Sequence, residues 1–487
     1  MHDMGLTEYF DLDAHDTTVR TEVIAGITTF LTMSYIVVVN PAILAGIPGT
    51  KPGIVIDGFS PTQVRSMLAV VTIIAATTAT TIMALYANRP FAQAPGLGLN
   101  AFFAFTVVGA LGISWKTALA AVVVEGVLFI LLTAIGAREF VIKLFPRPVK
   151  FAVGTGIGLF LTIIGLQAMG IVVDDSATLI TMGQVASNPV AVLSVFGLFL
   201  TFALYARGIK GSIIVGVLAT TVLGWVVTQA GLVAPDAGLV ASAAETTVTL
   251  PGLGTVSLVL PGAGSATYNI TPLAGSFLQG LGNIEGFSFA LVVFTFFFVD
   301  FFDTAGTLVG VGQAGDFLDD DGNLPDVDKP LMADAIGTTV GGMLGTSTVT
   351  TYIESATGVE EGGRTGLTAL VVALLFLASL LVVPLAAAIP LYASHIAVVV
   401  IGVVMLSNVV DIDWNDITQT VPAGMTILVM PFTYSIAYGI AAGIISYPLV
   451  KIAAGEYDDL RAGHLALAGA FVVYFFVRTS GLLASSV

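Results

Sequence analysis

Two carboxylates interrupt an otherwise apolar stretch, FTFFFVDFFDTAGTLVG. Asp300 and Asp303 are three positions apart, so they share one face of a helix. Each carboxylate costs roughly 2.5–3.5 kcal/mol at the centre of a bilayer, and both are therefore expected to face a polar cavity inside the protein. A third acid, Glu354, lies in GTSTVTTYIESATG, which is too rich in Thr, Ser and Gly for an ordinary span. We expect these three acids and Asn100 to form one binding site.

The composition is that of a membrane protein. Hydrophobic residues make up 56% and charged residues 10% of the 487 residues, and the mean hydropathy is +0.98. These values exclude a water-soluble domain and indicate an all-α polytopic protein with helices that cross about 30 Å of hydrocarbon. There is no cysteine, so disulfides are excluded.

The charge balance gives a hint of the source. Asp and Glu outnumber Lys and Arg by 32 to 16. Excess surface carboxylates keep proteins hydrated in a high-salt cytoplasm, so the balance favours a haloarchaeal protein. The alternative is a few acidic loops on an ordinary protein.

Apolar length, with Gly, Pro and charge at the breaks, predicts fourteen transmembrane segments. They lie at 20–44, 64–87, 90–112, 116–137, 150–172, 189–207, 211–231, 286–312, 330–344, 346–361, 366–389, 391–410, 419–434 and 436–452. The third and tenth are expected to be broken and to contain short extended segments. The apolar piece at 463–477 is either a surface helix or an extra span.

Basic residues predict the orientation. The loop 138–150 contains four Lys or Arg residues, whereas none occurs between Lys210 and Lys329. The positive-inside rule then places both ends of the fourteen-span unit in the cytoplasm and the 232–285 connection outside. Three cations on the outer side weaken this assignment: Lys51, Arg65 and Lys116. Each half would hold seven spans, and an odd number makes any internal repeat inverted.

The two broken spans are expected to create the site. Pro and Gly residues in NRPFAQAPGLGLN should prevent a helix until about residue 97. Hydrocarbon tolerates the resulting unpaired backbone groups only where they line a cavity. Residues 345–353, rich in Gly, Ser and Thr, mirror this before a helix that starts near Glu354. Two half-helices whose N-termini meet would offer N–H donors to an anionic or acceptor-rich ligand.

Three motifs carry a family resemblance. APGLGLNAFFAFTVV, FVDFFDTAGTL and TSTVTTYIESATGVEEGGRTGL resemble the signatures of the nucleobase-cation symporter 2 family, specifically its adenine/guanine/hypoxanthine branch. The resemblance covers the whole chain, through MPFTYSIAYGI. The xanthine and urate branch would show a Gln-Asn pair at the start of the tenth span, where this chain has Tyr352-Ile353-Glu354-Ser355. This difference argues against urate transport.

The resemblance implies two inverted seven-span repeats and elevator-like movement of a core domain against a gate domain. It also implies a homodimer formed by the gate domain. Mapped onto this chain, the segments are a cytoplasmic tail at 1–19, core domain at 20–137 and 286–389, gate domain at 138–231 and 390–452, an extracellular connection at 232–285 and a C-terminal segment at 453–487. The implied protein lies in the cell membrane with a cytoplasmic N-terminus and imports purine nucleobases, generally with protons.

The resemblance also implies residue roles. Its substrate contacts fall on Asn100, Asp300 and Glu354, with Asp303 important for transport. Carboxylates accept hydrogen bonds from purine N–H groups, and an analogue that lacks a partner leaves a buried group unpaired at roughly 1–3 kcal/mol. No His lies in the motifs, so proton coupling falls to Asp300, Asp303 and Glu354. Phe102 and Phe301 are the candidates for stacking on the base.

Structural interpretations compete with these roles. Asn100 would instead cap the half-helix that begins beside it. Three hydroxyl groups could satisfy Asp303, namely those of Thr304, Thr307 and Ser347. Two further acids inside spans, Glu125 and Asp334, are expected to be structural.

Other functions fit the sequence less well. Sodium is the alternative coupling ion. An anion carrier of the sulfate or bicarbonate type with the same fold should have cations or neutral residues in place of Asp300 and Glu354. The chain has neither a Walker-type Gly-Lys-Ser/Thr sequence nor a His-Glu-x-x-His helix. We therefore expect no enzymatic activity, metal, cofactor or nucleic-acid partner. A channel is the class of membrane protein that is hardest to exclude from the sequence.

Overall fold

The computed structural model describes residues 5–47, 49–136, 146–240, 244–250, 254–260, 267–282, 284, 286–318 and 324–479. The chain forms two compact units. One comprises Met1–Leu131 and Ile164–Val400, and the other Leu132–Ile163 and Ile401–Val487. Every predicted site residue belongs to the first unit. Arg138 and Lys143, which support the predicted orientation, lie outside the described residues.

The first half of the chain contains mostly apolar helices. Its elements are α1 (Leu6–Tyr9), α2 (Val19–Met33), α3 (Ile36–Leu44), α4 (Pro61–Ile82), β1 (Gln93–Pro95), α5 (Leu97–Ala101), α6 (Trp115–Ala134), α7 (Arg147–Ala168), β2 (Val172–Asp175), β3 (Leu179–Met182), α8 (Pro189–Ala206), α9 (Ser212–Gln229), β4 (Ala244–Leu250) and β5 (Gly254–Leu260). Wider π-helical turns extend α4 over Met83–Ala87 and α5 over Phe102–Ala110.

The second half has a similar make-up. Its elements are α10 (Phe277–Leu281), α11 (Gly286–Ala314), α12 (Asp328–Leu344), β6 (Val349–Thr351), α13 (Ser355–Glu360), α14 (Gly366–Ala378), α15 (Val383–Ala388), α16 (Leu391–Val404), α17 (Ile417–Thr433), α18 (Ile436–Ala454) and α19 (Ala462–Thr479). The hairpins β2–β3 and β4–β5 are antiparallel and were not predicted. They follow α7 and α9, and their β-branched residues favour strands.

Local signals set the helix boundaries. A capping box of Ser60 and Gln63 starts α4. Gly345, with φ of +107°, ends α12 in the left-handed region that favours glycine. The predicted break near Ser435 is present, and the Ser435 hydroxyl accepts a hydrogen bond from the Tyr438 N–H to start α18.

The outer faces suit a lipid environment. Eight helical segments within the described residues are long and apolar enough to cross a membrane. Large apolar side chains remain exposed on helices of both units, including Phe199 (66%), Leu381 (84%) and Phe432 (76%). In water these surfaces would be costly, whereas hydrocarbon solvates them. The chain is therefore a mostly helical, multi-pass membrane protein.

Two of the outer cations that weaken the predicted orientation have structural partners. The Lys51 ammonium donates to the carbonyls of Ala42, Ile43 and Ala45, at 2.5, 2.8 and 2.7 Å, where α3 ends. Arg65 donates to the Ile389 carbonyl at 2.7 Å. Cations near a helix C-terminus satisfy its unpaired carbonyls.

The strands β1 and β6 pair antiparallel, with Gln93 opposite Thr351 and Pro95 opposite Val349. This pairing satisfies backbone groups that we expected to line a cavity. Because the strands run in opposite directions, α5 and α13 leave the pair at opposite ends. Their N-termini are therefore separated by a pairing about 10 Å long, rather than meeting directly. Gly96 is required here, since an added Cβ would lie 2.6 Å from Thr350 Cγ2.

Candidate functional site

One pair of predicted carboxylates remains accessible. Asp303 on α11 and Glu354 at the start of α13 are both half-buried, and they lie close enough to interact electrostatically. The Tyr35 hydroxyl, between α2 and α3, donates to Glu354 Oε1 at 2.5 Å. This leaves Glu354 Oε2 for another donor. The pair can therefore accept hydrogen bonds from N–H groups of a ligand.

Asp300 belongs to a different group of side chains. Asp300 is fully buried together with Glu125 of α6 and Asp334 of α12. The Asp300 and Glu125 carboxyl groups are in hydrogen-bonding contact. The Thr348 hydroxyl donates to Glu125 at 3.1 Å, and the Thr304 hydroxyl donates to Asp334 at 3.0 Å. Asp300 therefore contacts Glu125, and the expectation that it shares one site with Glu354 stays a prediction.

Asn100 is fully buried inside α5 and does not cap it, because the helix begins at Leu97 with Gly96 as its N-cap. The Ser347 hydroxyl donates to Asn100 Oδ1. The Asn100 amide nitrogen has no partner among the described residues. The capping interpretation was wrong, and the free amide N–H groups remain donors that a ligand could use once they are uncovered.

Two of the three hydroxyl groups proposed as structural partners of Asp303 bond other residues. Ser347 donates to Asn100, and Thr304 bonds Asp334 and, at 2.6 Å, the Thr350 hydroxyl. These contacts weaken the structural interpretation of Asp303. They also tie β6 to α11 and α12, which holds the region around the acids in place.

The two candidate stacking residues lie among other rings. Phe102 is fully buried, with its ring edge-on to Phe296 at a centroid distance of 4.7 Å. Phe301 is 2% exposed and lies parallel to Phe297 at 6.0 Å. Contact of either ring with a base would require movement of these neighbours, so their stacking role stays a prediction.

Sequence reasoning missed two residues beside the acids. Tyr35 bonds Glu354, and Gln93 donates to Asp334 at 3.2 Å and to the Thr351 hydroxyl at 3.2 Å. Each is a polar residue in a mainly apolar segment, which is the signal that could have identified it. The partner of each depends on long-range packing that no local pattern reveals.

Glu22 of α2 is a buried acid of another kind. It accepts hydrogen bonds from the backbone N–H groups of Arg364, Thr365 and Thr368, and one from the Thr368 hydroxyl at 2.6 Å. These donors lie just before and within the first turn of α14, where backbone N–H groups lack the usual helical partners. Glu22 is therefore fully satisfied and joins α2 to α14, which distinguishes it from the acids near β6.

Apolar helices that surround buried and half-buried carboxylates are typical of an integral membrane protein with a polar site in its interior. Residues 20–442 match the profile of the permease family Xan_ur_permease, and the chain belongs to this family, the nucleobase-cation symporter 2 family. The predicted family is thereby confirmed. It is a transporter and not an enzyme.

Named relatives cover nearly the whole chain. The adenine permease AdeP of Escherichia coli strain K12 is 38% identical over 468 residues, which are 96% of this chain and 95% of the relative. The guanine/hypoxanthine permease PbuO of Bacillus subtilis strain 168 is 37% identical over 473 residues, 96% of this chain and 99% of the relative.

A solved structure shares the fold at lower identity. The transmembrane domain of the cyanobacterial bicarbonate transporter BicA superposes with a TM-score of 0.54 at 16% identity, covering 87% of this chain and 97% of that one. At this identity the likeness shows the fold alone. The expectation that a bicarbonate-type carrier has a similar fold is confirmed.

Proposed function

We propose that this protein imports purine nucleobases, namely adenine, guanine and hypoxanthine, by proton symport. The observation that carries this proposal is the similarity, over 96% of the chain, to permeases named for adenine and for guanine/hypoxanthine. The accessible acids support it, because purines present ring N–H donors that carboxylates accept. The coupling ion is a proton rather than sodium in this proposal, since carboxylates are the titratable groups at the site.

The purine contacts two sets of residues, one after the other. Glu354 and Asp303, which are half-buried, bind its N–H groups first. Asn100 and Asp300, which are fully buried, contact the base only after a rearrangement that uncovers them. Movement of the core domain against the gate domain provides this rearrangement and carries the site across the cell membrane. The functional protein is a homodimer of fourteen-span subunits with broken third and tenth spans.

The membrane arrangement follows the charge pattern. The N-terminus lies in the cytoplasm and the 232–285 connection outside. A cysteine introduced singly into the cysteine-free chain at the N-terminus or in that connection tests this. A membrane-impermeant thiol reagent added to intact cells should label the connection only. Labelling of the N-terminal cysteine alone would show that the protein has the opposite orientation.

Uptake into proteoliposomes tests the substrate and the coupling ion together. Radiolabelled hypoxanthine is supplied first with an inward pH gradient and then with an inward sodium gradient, in competition with adenine, guanine, uracil and xanthine. Uptake that follows the pH gradient and is blocked by adenine or guanine, but not by uracil, supports the proposal. No uptake of any base by folded protein would contradict it.

An anion carrier is the second candidate, favoured only by the likeness to the bicarbonate transporter fold. Asp303 and Glu354 argue against it, because half-buried carboxylates repel an anion. None of the ion pairs between described residues includes either acid, so no cation of a described residue is paired with them. Bicarbonate or sulfate uptake without purine uptake would establish this alternative.

A further inference from the structure

Three acids from three helices converge behind β6. Glu125 of α6, Asp300 of α11 and Asp334 of α12 are each 0% exposed. Buried carboxylates need hydrogen-bond donors, cations or protons, because the charged form is otherwise strongly disfavoured. The hydrogen bonds of these three groups therefore decide how their charge is compensated.

The available donors do not satisfy all three acids. Asp334 Oδ1 accepts from Thr304 and Gln93, and Glu125 Oε2 accepts from Thr348. Neither oxygen of Asp300, nor Oε1 of Glu125, accepts a hydrogen bond from an N–H or O–H of any described residue. Among the residues that the structure describes, Asp300 is thus a buried side chain without a donor, although it touches Glu125.

Two carboxyl groups in contact cannot both be charged in a dry interior. Like charges at hydrogen-bond distance repel strongly where the dielectric constant is low. Among the described residues no cluster of His, Cys, Asp or Glu is arranged to hold a metal ion. One proton between Glu125 and Asp300 removes the repulsion and supplies the missing donor. Among the described residues, the other titratable groups that act on the pair are Asp334 on α12 and Asp303 on α11.

We propose that Glu125 and Asp300 share one proton, and that this is the proton carried with the substrate. The proposal rests on the proposed function and adds Glu125 as the partner of Asp300. Because Asp300 and the accessible Asp303 lie one helical turn apart on α11, a base bound at Asp303 and Glu354 is close to the proton site. When the site is uncovered on the cytoplasmic side, Glu125 and Asp300 become hydrated and the proton leaves to water.

The test compares accumulation with equilibration in proteoliposomes. With the membrane potential clamped at zero, a pH gradient of one unit supports about a ten-fold accumulation of purine for each proton carried. We expect about ten-fold accumulation for the wild type. Glu125→Gln has the shape of the protonated acid but cannot exchange a proton, so it should bring labelled hypoxanthine to equal concentrations inside and outside and no further.

Glu22→Gln is the matched control, because Glu22 is an equally buried acid that accepts hydrogen bonds from protein donors through both carboxylate oxygens. It should accumulate purine about ten-fold per pH unit, whatever its stability. Ten-fold accumulation by Glu125→Gln would overturn the proposal of a shared proton, although purine transport itself would stand. Loss of accumulation in both variants would also overturn the shared proton, because the effect would not be specific to Glu125. Wild-type uptake that ignores the pH gradient and follows sodium would also overturn it. Absence of any wild-type purine uptake would instead refute the proposed function, and the inference with it.

A measurement on the wild type covers the case in which Glu125→Gln does not fold. Infrared spectra in H2O and D2O should show the carbonyl stretch of a buried, protonated carboxylic acid at neutral pH. Addition of hypoxanthine should perturb that band, whereas uracil should not. The absence of a protonated carboxyl band would overturn the proposal.

Discussion

Replacement of Glu354 by Gln tests the geometry of the accessible acid pair. In the wild type, Tyr35 donates to Oε1 at 2.5 Å, so Oε2 is the oxygen available to a purine N–H. The amide oxygen of Gln will take over the bond from Tyr35, which turns the NH2 group toward the purine. A donor then faces a donor, and a charge-assisted hydrogen bond worth about 1.5–3 kcal/mol is lost. The expected result is a roughly 10- to 150-fold increase in the Kd for hypoxanthine.

Tyr35→Phe provides the second arm of a double-mutant cycle. Without the Tyr35 hydroxyl, the amide of Glu354→Gln is free to rotate and present its oxygen to the ligand. The loss of binding free energy is then only the difference between a charged and a neutral hydrogen-bond acceptor. This difference is about 1 kcal/mol, which corresponds to a roughly five-fold increase in Kd. Glu354→Gln should therefore reduce the affinity for hypoxanthine less in the Tyr35→Phe background than in the wild type.

Equilibrium binding of labelled hypoxanthine to purified protein measures all four variants. Size-exclusion profiles and thermal unfolding establish that each variant is folded. An unchanged Kd in Glu354→Gln would refute purine contact by Glu354. Equal losses in the two backgrounds would show that Tyr35 does not orient the carboxylate.

Three further predictions concern the scaffold and the coupling ion. Gly96→Val places a side chain against Thr350, where even a Cβ lies 2.6 Å from Cγ2; it should lower the free energy of unfolding by about 1–3 kcal/mol, and an unchanged thermal midpoint would contradict this. Asp416→Ala removes the N-cap of α17, in which the Asp416 carboxylate accepts from the Thr418 N–H at 2.8 Å, and should cost about 1 kcal/mol in thermal unfolding. The Thr418 hydroxyl holds the pKa of Asp416 below 3.8, so this stabilisation is present above pH 3.8 and should vanish as the pH falls through the native pKa. Replacement of sodium by choline should leave pH-driven purine uptake unchanged, and a loss of uptake would indicate sodium coupling.

The sequence located some of the apolar helices almost to the residue. Predicted spans at 189–207 and 436–452 correspond to helices at Pro189–Ala206 and Ile436–Ala454. Hydrophobic length and helix-breaking residues act locally, so a pattern of neighbouring residues is sufficient to locate them. For the same reason, the Pro and Gly residues before Leu97 correctly predicted where α5 begins.

Only the tertiary structure decided which acids face each other. Helical spacing placed Asp300 and Asp303 on one face, yet Asp300 contacts Glu125 whereas Asp303 lies near Glu354. The 3.6-residue period fixes the direction of a side chain from its own helix axis. Its neighbours depend on how distant helices dock, and the residues that set this docking are spread along the chain. The antiparallel pairing of β1 with β6, between residues far apart in sequence, is such a long-range contact. It placed the two half-helix N-termini at opposite ends of the pair, an arrangement that no local pattern of residues encodes.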